Sequence, residues 1–179
     1  MDDGRSQTKH LMPRLKAICQ TAHGVAQTYL CSVVDHASSS FGDKGWGCGY
    51  RNLQMLLSSL AHHTPFSDRL GIAKGSGVAS ISRLQSLIES AWRRGFDTQG
   101  CEQLGGQLVN TRKWIGATEI VAFFSANRIK TELLDFHTPT AKDGTHPKLF
   151  QWVLEYFRER ARVKAFTPPL YLQHQGHSR

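Results

Sequence analysis

The stretch Gly42-Asp43-Lys44-Gly45-Trp46-Gly47-Cys48-Gly49-Tyr50, continued from Arg51 to Leu60 as RNLQMLLSSL, decides how this chain is read. One cysteine stands between two glycines, with a third at Gly45, where a polar loop gives way to residues of helical period. Leu53, Met55, Leu56, Leu57 and Leu60 make an apolar face broad enough for a buried helix that begins at Cys48. The thiolate, not the thiol, is the nucleophile, and the unpaired N–H groups and dipole of a helix N-terminus favour that anion. Gly47 and Gly49 leave room for an extended peptide backbone beside the sulfur. The first-turn amides could hold an oxyanion, and Trp46 would wall the site. The bland alternative is a small buried hydrophobe opening a core helix, and a bland structural reading is kept for Cys19 on or beside a helix, Cys31 in a strand-like run and Cys101 in a polar loop.

Outward from this stretch the periodicity predicts further elements. Lys9 to Ala26 reads as an amphipathic helix carrying Leu11, Leu15, Ile18 and Ala22 on one side, with Pro13 marking its start. Tyr29 to Val34 reads as a short strand, and HASSSFGDKGWG after it as a loop. His62 to Ala79 is mostly connection, broken by Pro65, Gly71, Gly75 and Gly77. Ser80 to Arg94 is a helix stopped by Gly95, Thr118 to Asn127 another, and RIKTELLDF, Arg128 to Phe136, a strand. Thr145 to Arg162 is a helix with Leu149, Trp152, Val153, Tyr156 and Phe157 inward, and PPLYLQHQGHSR, Pro168 to Arg179, closes the chain as a strand. Helices precede strands, so an α+β fold is favoured over a doubly wound sheet.

Composition narrows the function. The 179 residues suit one domain, and no apolar run approaches the roughly 18 residues that a membrane span needs. No membrane role is expected. The four cysteines form no C-x-x-C pair and no short spacing to histidine, so neither a metal, a cofactor nor a disulfide framework is indicated. The first thirty residues build no secretory signal core, which suggests reduced thiols in the nucleus or cytoplasm. The formal charge of +8 is scattered, without the aromatic interleaving of a nucleic-acid module, so nucleic acid is not the expected main ligand.

A thiolate nucleophile needs a base. Among nine histidines, His177 is the candidate, with His174 as the alternative. On a strand Tyr171, Gln173, Gln175 and His177 share a face, and Gln173 or Gln175 could donate an amide hydrogen to an oxyanion. His62 and His63 follow the Cys48 helix at its far end, about 20 Å away, and read as surface residues.

GDKGWGCGYRNLQMLLSSL, DFHTPTAKDGTHPKLFQWVLEYF and PPLYLQHQGHSR together resemble the papain-like proteases specific for the ubiquitin-fold modifier, most of all their zinc-finger-bearing ubiquitin peptidase branch. G-W-G-C also resembles the proteases that process Atg8, whereas G-Y-R-N-L-Q and Q-H-Q-G-H-S-R set the chain apart from them. The resemblance spans residues 29–179, an incomplete papain-like peptidase domain. Residues 1–28 are set apart as an N-terminal helical segment, a candidate ubiquitin-binding helix. It implies a thiol deubiquitinase cleaving isopeptide bonds in polyubiquitin of the extended lysine-sixty-three type. In that role Cys48 is the nucleophile, His177 the base and Gln173 the oxyanion glutamine, with Trp46, Gly47, Gly49 and Gln175 lining the substrate. Ubiquitin or polyubiquitin chains are the implied partners, with the ubiquitin-fold modifier as a further candidate substrate and a non-catalytic ubiquitin binder as the alternative role. In the family an aspartate on a strand after the histidine completes the triad. This sequence stops two residues past His177, so impaired turnover is expected, with Asp35, Asp43 and Asp135 the in-chain carboxylates that could substitute, each read as a loop or surface acid.

Overall fold

The computed structural model describes residues 5–73, 76–174 and 177–178, and of His177 the backbone alone. In chain order the described elements are β1 (Gln7–Thr8), α1 (Leu11–Thr21), β2 (His36–Ala37), α2 (Cys48–Ala61), α3 (Thr64–Leu70), α4 (Ile81–Arg93), α5 (Thr98–Gln103), α6 (Ala117–Ala126), α7 (Pro147–Arg162), β3 (Gln173–His174) and β4 (His177–Ser178). The architecture is mixed and mostly helical, with two small antiparallel pairs, β1 with β2 and β3 with β4, in keeping with the expected α+β class.

α2 is the axis of the molecule. Tyr50, Leu53, Leu57 and Leu60 bury its apolar face against Leu84, Ile88 and Trp92 of α4, Ile120, Phe123 and Phe124 of α6, and Leu108, Ile115 and Ile129 from the connections. Ala91, Ala122 and Ala126 are buried together, small side chains that let α4 and α6 approach closely. Ser80 caps α4, its hydroxyl accepting from the Arg83 N–H at 3.2 Å, and Gly95 beyond its end takes a left-handed φ of 86°. α2 also buries polar residues on its other faces, and each of Arg51, Asn52, Gln54 and Ser58 is hydrogen-bonded. Gln54, fully buried, donates to the Ala79 carbonyl at 2.8 Å and accepts from Arg51 at 3.1 Å.

Elsewhere the structure departs from the periodicity. α1 begins at Leu11, two residues before Pro13, and none of its residues is buried; Leu15 and Ile18 face solvent. Tyr29 to Val34 is not a strand: Ser32 exchanges bonds with Thr167, N–H to carbonyl at 2.8 Å and hydroxyl from N–H at 2.9 Å, and no ladder follows. Arg128 to Phe136 is irregular, with Leu133 and Leu134 exposed. In both cases β-propensity met no neighbouring strand among the described residues to satisfy it. The connection after α2 contains α3, opened by Pro65 and stopped by Gly71 at φ 61°. The Leu149, Trp152, Val153, Tyr156 and Phe157 face of α7 does point inward, though it is only half-buried. The final strand is instead a hairpin: Gln173 lies opposite Ser178 and His174 opposite His177. The chain therefore reverses, and Tyr171 and Gln173 do not share one continuous strand face with His177.

Gly49 shows how closely α2 is seated. A Cβ there would overlap the Ile115 carbonyl oxygen and stand 2.7 Å from Ile115 Cγ1. Gly49→Ala is expected to destabilise the fold by about 1–3 kcal/mol, lowering the thermal midpoint by several degrees. Gly42→Ala, whose added methyl would meet only Ser40 Oγ at 4.0 Å, should leave the melt almost unchanged.

Candidate active site

The loop before α2 is folded around one carboxylate. Asp43 is 3% exposed and accepts from the Ser40 N–H at 2.8 Å, from the Ser40 hydroxyl, and from Arg51 through Nε at 3.1 Å and Nη2 at 2.8 Å. Its carbonyl accepts from the Trp46 and Gly47 N–H groups at 3.3 and 2.8 Å, which turns the chain into the helix. Burial raises the Asp43 carboxyl, and the Arg51 and Ser40 hydrogen bonds with the Arg51 charge overcome that and hold it below the usual range. Asp43 is thus no surface acid, and its oxygens are occupied by Arg51 and Ser40. Asp135 is exposed and paired with His137 at 3.5 Å.

Gly45 takes φ 88°, a left-handed turn that suits glycine. A Cβ on Gly47 would stand 2.6 Å from Asp43, as one on Gly49 would strike Ile115, so what these two glycines admit is the protein's own backbone and carboxylate. Trp46 is half-buried, its indole N–H on the Gly42 carbonyl at 3.2 Å and its ring edge-on to Tyr50 at 5.8 Å.

Cys48 is the first residue of α2 and half-buried. The indole at its sulfur is that of Trp114, whose Nε1–H donates to Sγ at 2.8 Å. Burial raises the thiol, but hydrogen bonds from the Ser178 hydroxyl, Trp114 and the main-chain N–H groups of Ser178 and Gly49 outweigh it, leaving the Cys48 thiol below its ordinary value. Ser178 is the residue after His177, so β4 brings the His177 backbone beside the nucleophile's helix. The His177 side chain and Gln175 lie outside the described residues. His174 is exposed on β3.

Gln173 is held by α6. Its Oε1 accepts from the Ala117 N–H at 2.6 Å, and this bond to a donor assigns the oxygen and leaves Nε2 to donate elsewhere. A Cβ on Gly116 would lie 3.0 Å from Gln173 Oε1 and 3.2 Å from the Trp114 ring, so this glycine lets the amide and the indole meet at the end of α6. The buried Glu119 accepts from the Gly116 N–H at 2.7 Å and secures the same turn. Trp114 thus reaches Cys48 from just before α6, and Gln173 is bound at the first residue of the same helix. His62 is exposed at the far end of α2 as expected, but His63 packs against Phe66 and Phe166 at 5.2 and 4.5 Å and is no surface residue.

Sequence reasoning missed Trp114, Ser178, Asn52 and Arg51. Trp114 sits in an irregular segment 66 residues beyond the cysteine, with no local signal. Asn52 was reachable, because a residue four beyond Cys48 shares its helix face.

A half-buried thiol of lowered pKa at a helix N-terminus, with an indole N–H on its sulfur and a histidine-bearing strand beside its helix, defines a cysteine-peptidase type of site. The chain belongs to peptidase family C78, whose model matches residues 23–179, as the motif resemblance implied. It is 48% identical over 185 residues to zinc finger-containing ubiquitin peptidase 1 of Macaca fascicularis and 47% identical over 184 residues to that of Homo sapiens. These alignments take in 100% and 99% of this chain but 32% and 31% of those proteins, so the chain spans about a third of their length. It is also 40% identical over 136 residues to ubiquitin carboxyl-terminal hydrolase mug105 of Schizosaccharomyces pombe, covering 76% of this chain and 53% of that protein.

Two outcomes follow from this geometry. Trp114→Phe keeps the ring and removes the donor, so thiolate absorbance near 240 nm should appear at higher pH than in the parent, the difference vanishing in a Cys48→Ala background. Asp43→Asn removes the carboxylate that pairs with the buried Arg51 guanidinium and should cost about 3–5 kcal/mol in denaturant unfolding near neutral pH. Because the folded carboxyl titrates below its unfolded value, this contribution is present above about pH 4 and fades as pH falls through the folded pKa; the variant should lack that acid limb.

Proposed function

We propose that the chain is a thiol isopeptidase acting on ubiquitin conjugates. The observation that carries this reading is Cys48 at the α2 N-terminus, with the Trp114 N–H on its sulfur and β4 docked beside it. Cys48 thiolate attacks the carbonyl carbon of the bond joining the ubiquitin C-terminus to a lysine. The C–N bond breaks, the amine leaves with a proton from the His177 imidazolium, and water, deprotonated by the same imidazole, then cleaves the thioester. Gln173 Nε2 and the Cys48 N–H are the donors assigned to the oxyanion. The relatives, a ubiquitin peptidase and a ubiquitin carboxyl-terminal hydrolase, support ubiquitin over the ubiquitin-fold modifier as substrate. Extended lysine-sixty-three chains remain the proposed linkage, and the exposed Leu15 and Ile18 of α1 are proposed as a further ubiquitin contact in residues 1–28.

A second reading is a ubiquitin binder without turnover; among the described residues Asp43 is committed to Arg51 and Asp135 is paired with His137, so neither is placed to orient an imidazole beside Cys48. One experiment separates the two. A ubiquitin probe with a C-terminal electrophile should label the parent and not Cys48→Ala, and a probe built on the ubiquitin-fold modifier should label it at least tenfold more slowly. Reversible ubiquitin binding with no covalent capture would contradict the peptidase reading.

A further inference from the structure

We propose that Asn52 and Ser178 are a positioning pair that turns a hydroxyl proton onto the Cys48 sulfur and fixes the histidine-bearing strand against the nucleophile's helix. The inference rests on the thiol-peptidase reading of Cys48 but assigns two residues to which that reading gives no role.

Asn52 follows Cys48 by four residues and so lies one turn along the same face of α2. It is 7% exposed, and its Nδ2 donates at 3.2 Å to the hydroxyl oxygen of Ser178, itself 3% exposed. A serine hydroxyl has a single proton that rotates to suit its acceptors. With a donor already on its oxygen, that proton turns away from Asn52; the two groups in reach are the Cys48 sulfur, which receives the Ser178 hydroxyl and its main-chain N–H, and the Tyr171 hydroxyl, which carries its own proton and can donate to Ser178 instead. The pair therefore acts on the sulfur and on β4 together. The bond spans 126 positions of sequence and ties α2 to the residue that directly follows His177. Gln173, opposite Ser178 in the hairpin, is anchored at α6, so the two ends of the β3–β4 pair are held by separate helices.

The groups that could otherwise set the thiol's titration are few among the described residues. Tyr171, before β3, lies beside Ser178 and Cys48 and is pushed up to about 12, chiefly by burial, so it stays neutral at working pH. Glu119 of α6 accepts from the Gly116 N–H, and Arg51 and Asp43 neutralise each other behind the first turn. Trp114 donates but does not titrate. His177 and His174 stand on the hairpin itself.

The test needs no ubiquitin. Alkylation of Cys48 by iodoacetamide, followed by mass spectrometry of its peptide from about pH 5 to about pH 10, reports the thiolate directly. Asn52→Ala and Ser178→Ala should each move the midpoint upward and slow alkylation at pH 7 by about tenfold. The double variant should be no slower than the slower single, because both act through one hydroxyl. Ser178→Thr, which keeps the hydroxyl, should behave like the parent, and Asn52→Leu, close in volume, serves if the alanine variant fails to fold by circular dichroism. An unchanged midpoint in a folded Asn52 or Ser178 variant, or full additivity in the double, overturns the proposal. A ubiquitin probe run in parallel keeps the two readings distinct: lost probe capture with the alkylation shift intact sinks the substrate and supports the pair, and normal capture without the shift does the reverse.

Discussion

The buried pair of Asp43 and Arg51 is the constraint on which the site depends. Arg51 is the fourth residue of α2, and Asp43 lies in the loop that enters it, so the fork of two hydrogen bonds between them closes the loop on the helix it precedes. Two charges removed from water are costly unless each is matched, and here both carboxylate oxygens and three guanidinium nitrogens have partners. The result is a first turn whose amides point outward from a fixed loop. Cys48 inherits its environment from that arrangement.

Around the sulfur the structure collects donors from two distant parts of the chain and from its own helix. Trp114 reaches it from the connection before α6, Ser178 from β4, and Gly49 from α2 itself. Burial works against the thiolate, and the donors together outweigh it. The same connection that brings Trp114 leads through Gly116 to the start of α6, where Gln173 is gripped. Nucleophile, indole and amide thus share one scaffold, and a shift of α6 would move two of them at once. Such coupling suits a site whose donors must meet a developing oxyanion without rearranging.

Much of this was legible in the sequence where the determinant is local. The onset of α2 at Cys48 follows from glycine giving way to a periodic apolar run, and α4, α6 and α7 declare themselves by the same period, Ser80 capping the first and Pro147 opening the last. What failed was non-local. Tyr29 to Val34 and Arg128 to Phe136 alternate well enough for strands, but a strand exists only where a partner offers a ladder. Gly47 and Gly49 read as openings for substrate because their neighbours Asp43 and Ile115 are close in space, one across a turn and the other 66 residues away. Asp43 reads as a loop or surface acid, and it does lie in the loop, but nothing in its own stretch announces that Arg51 folds back on it and buries it.

We propose that the Cys48 thiolate on α2 and the His177 imidazolium on β4 act as a pair, and the peptidase reading depends on it. Nitrogen NMR of the His177 imidazole, followed through a pH titration in the parent and in Cys48→Ala, addresses it most directly. A thiolate alongside should keep the imidazolium protonated to higher pH, so the His177 midpoint should fall when Cys48 is removed. Identical His177 titrations in the two proteins would show that sulfur and imidazole do not face each other, and the account would fail.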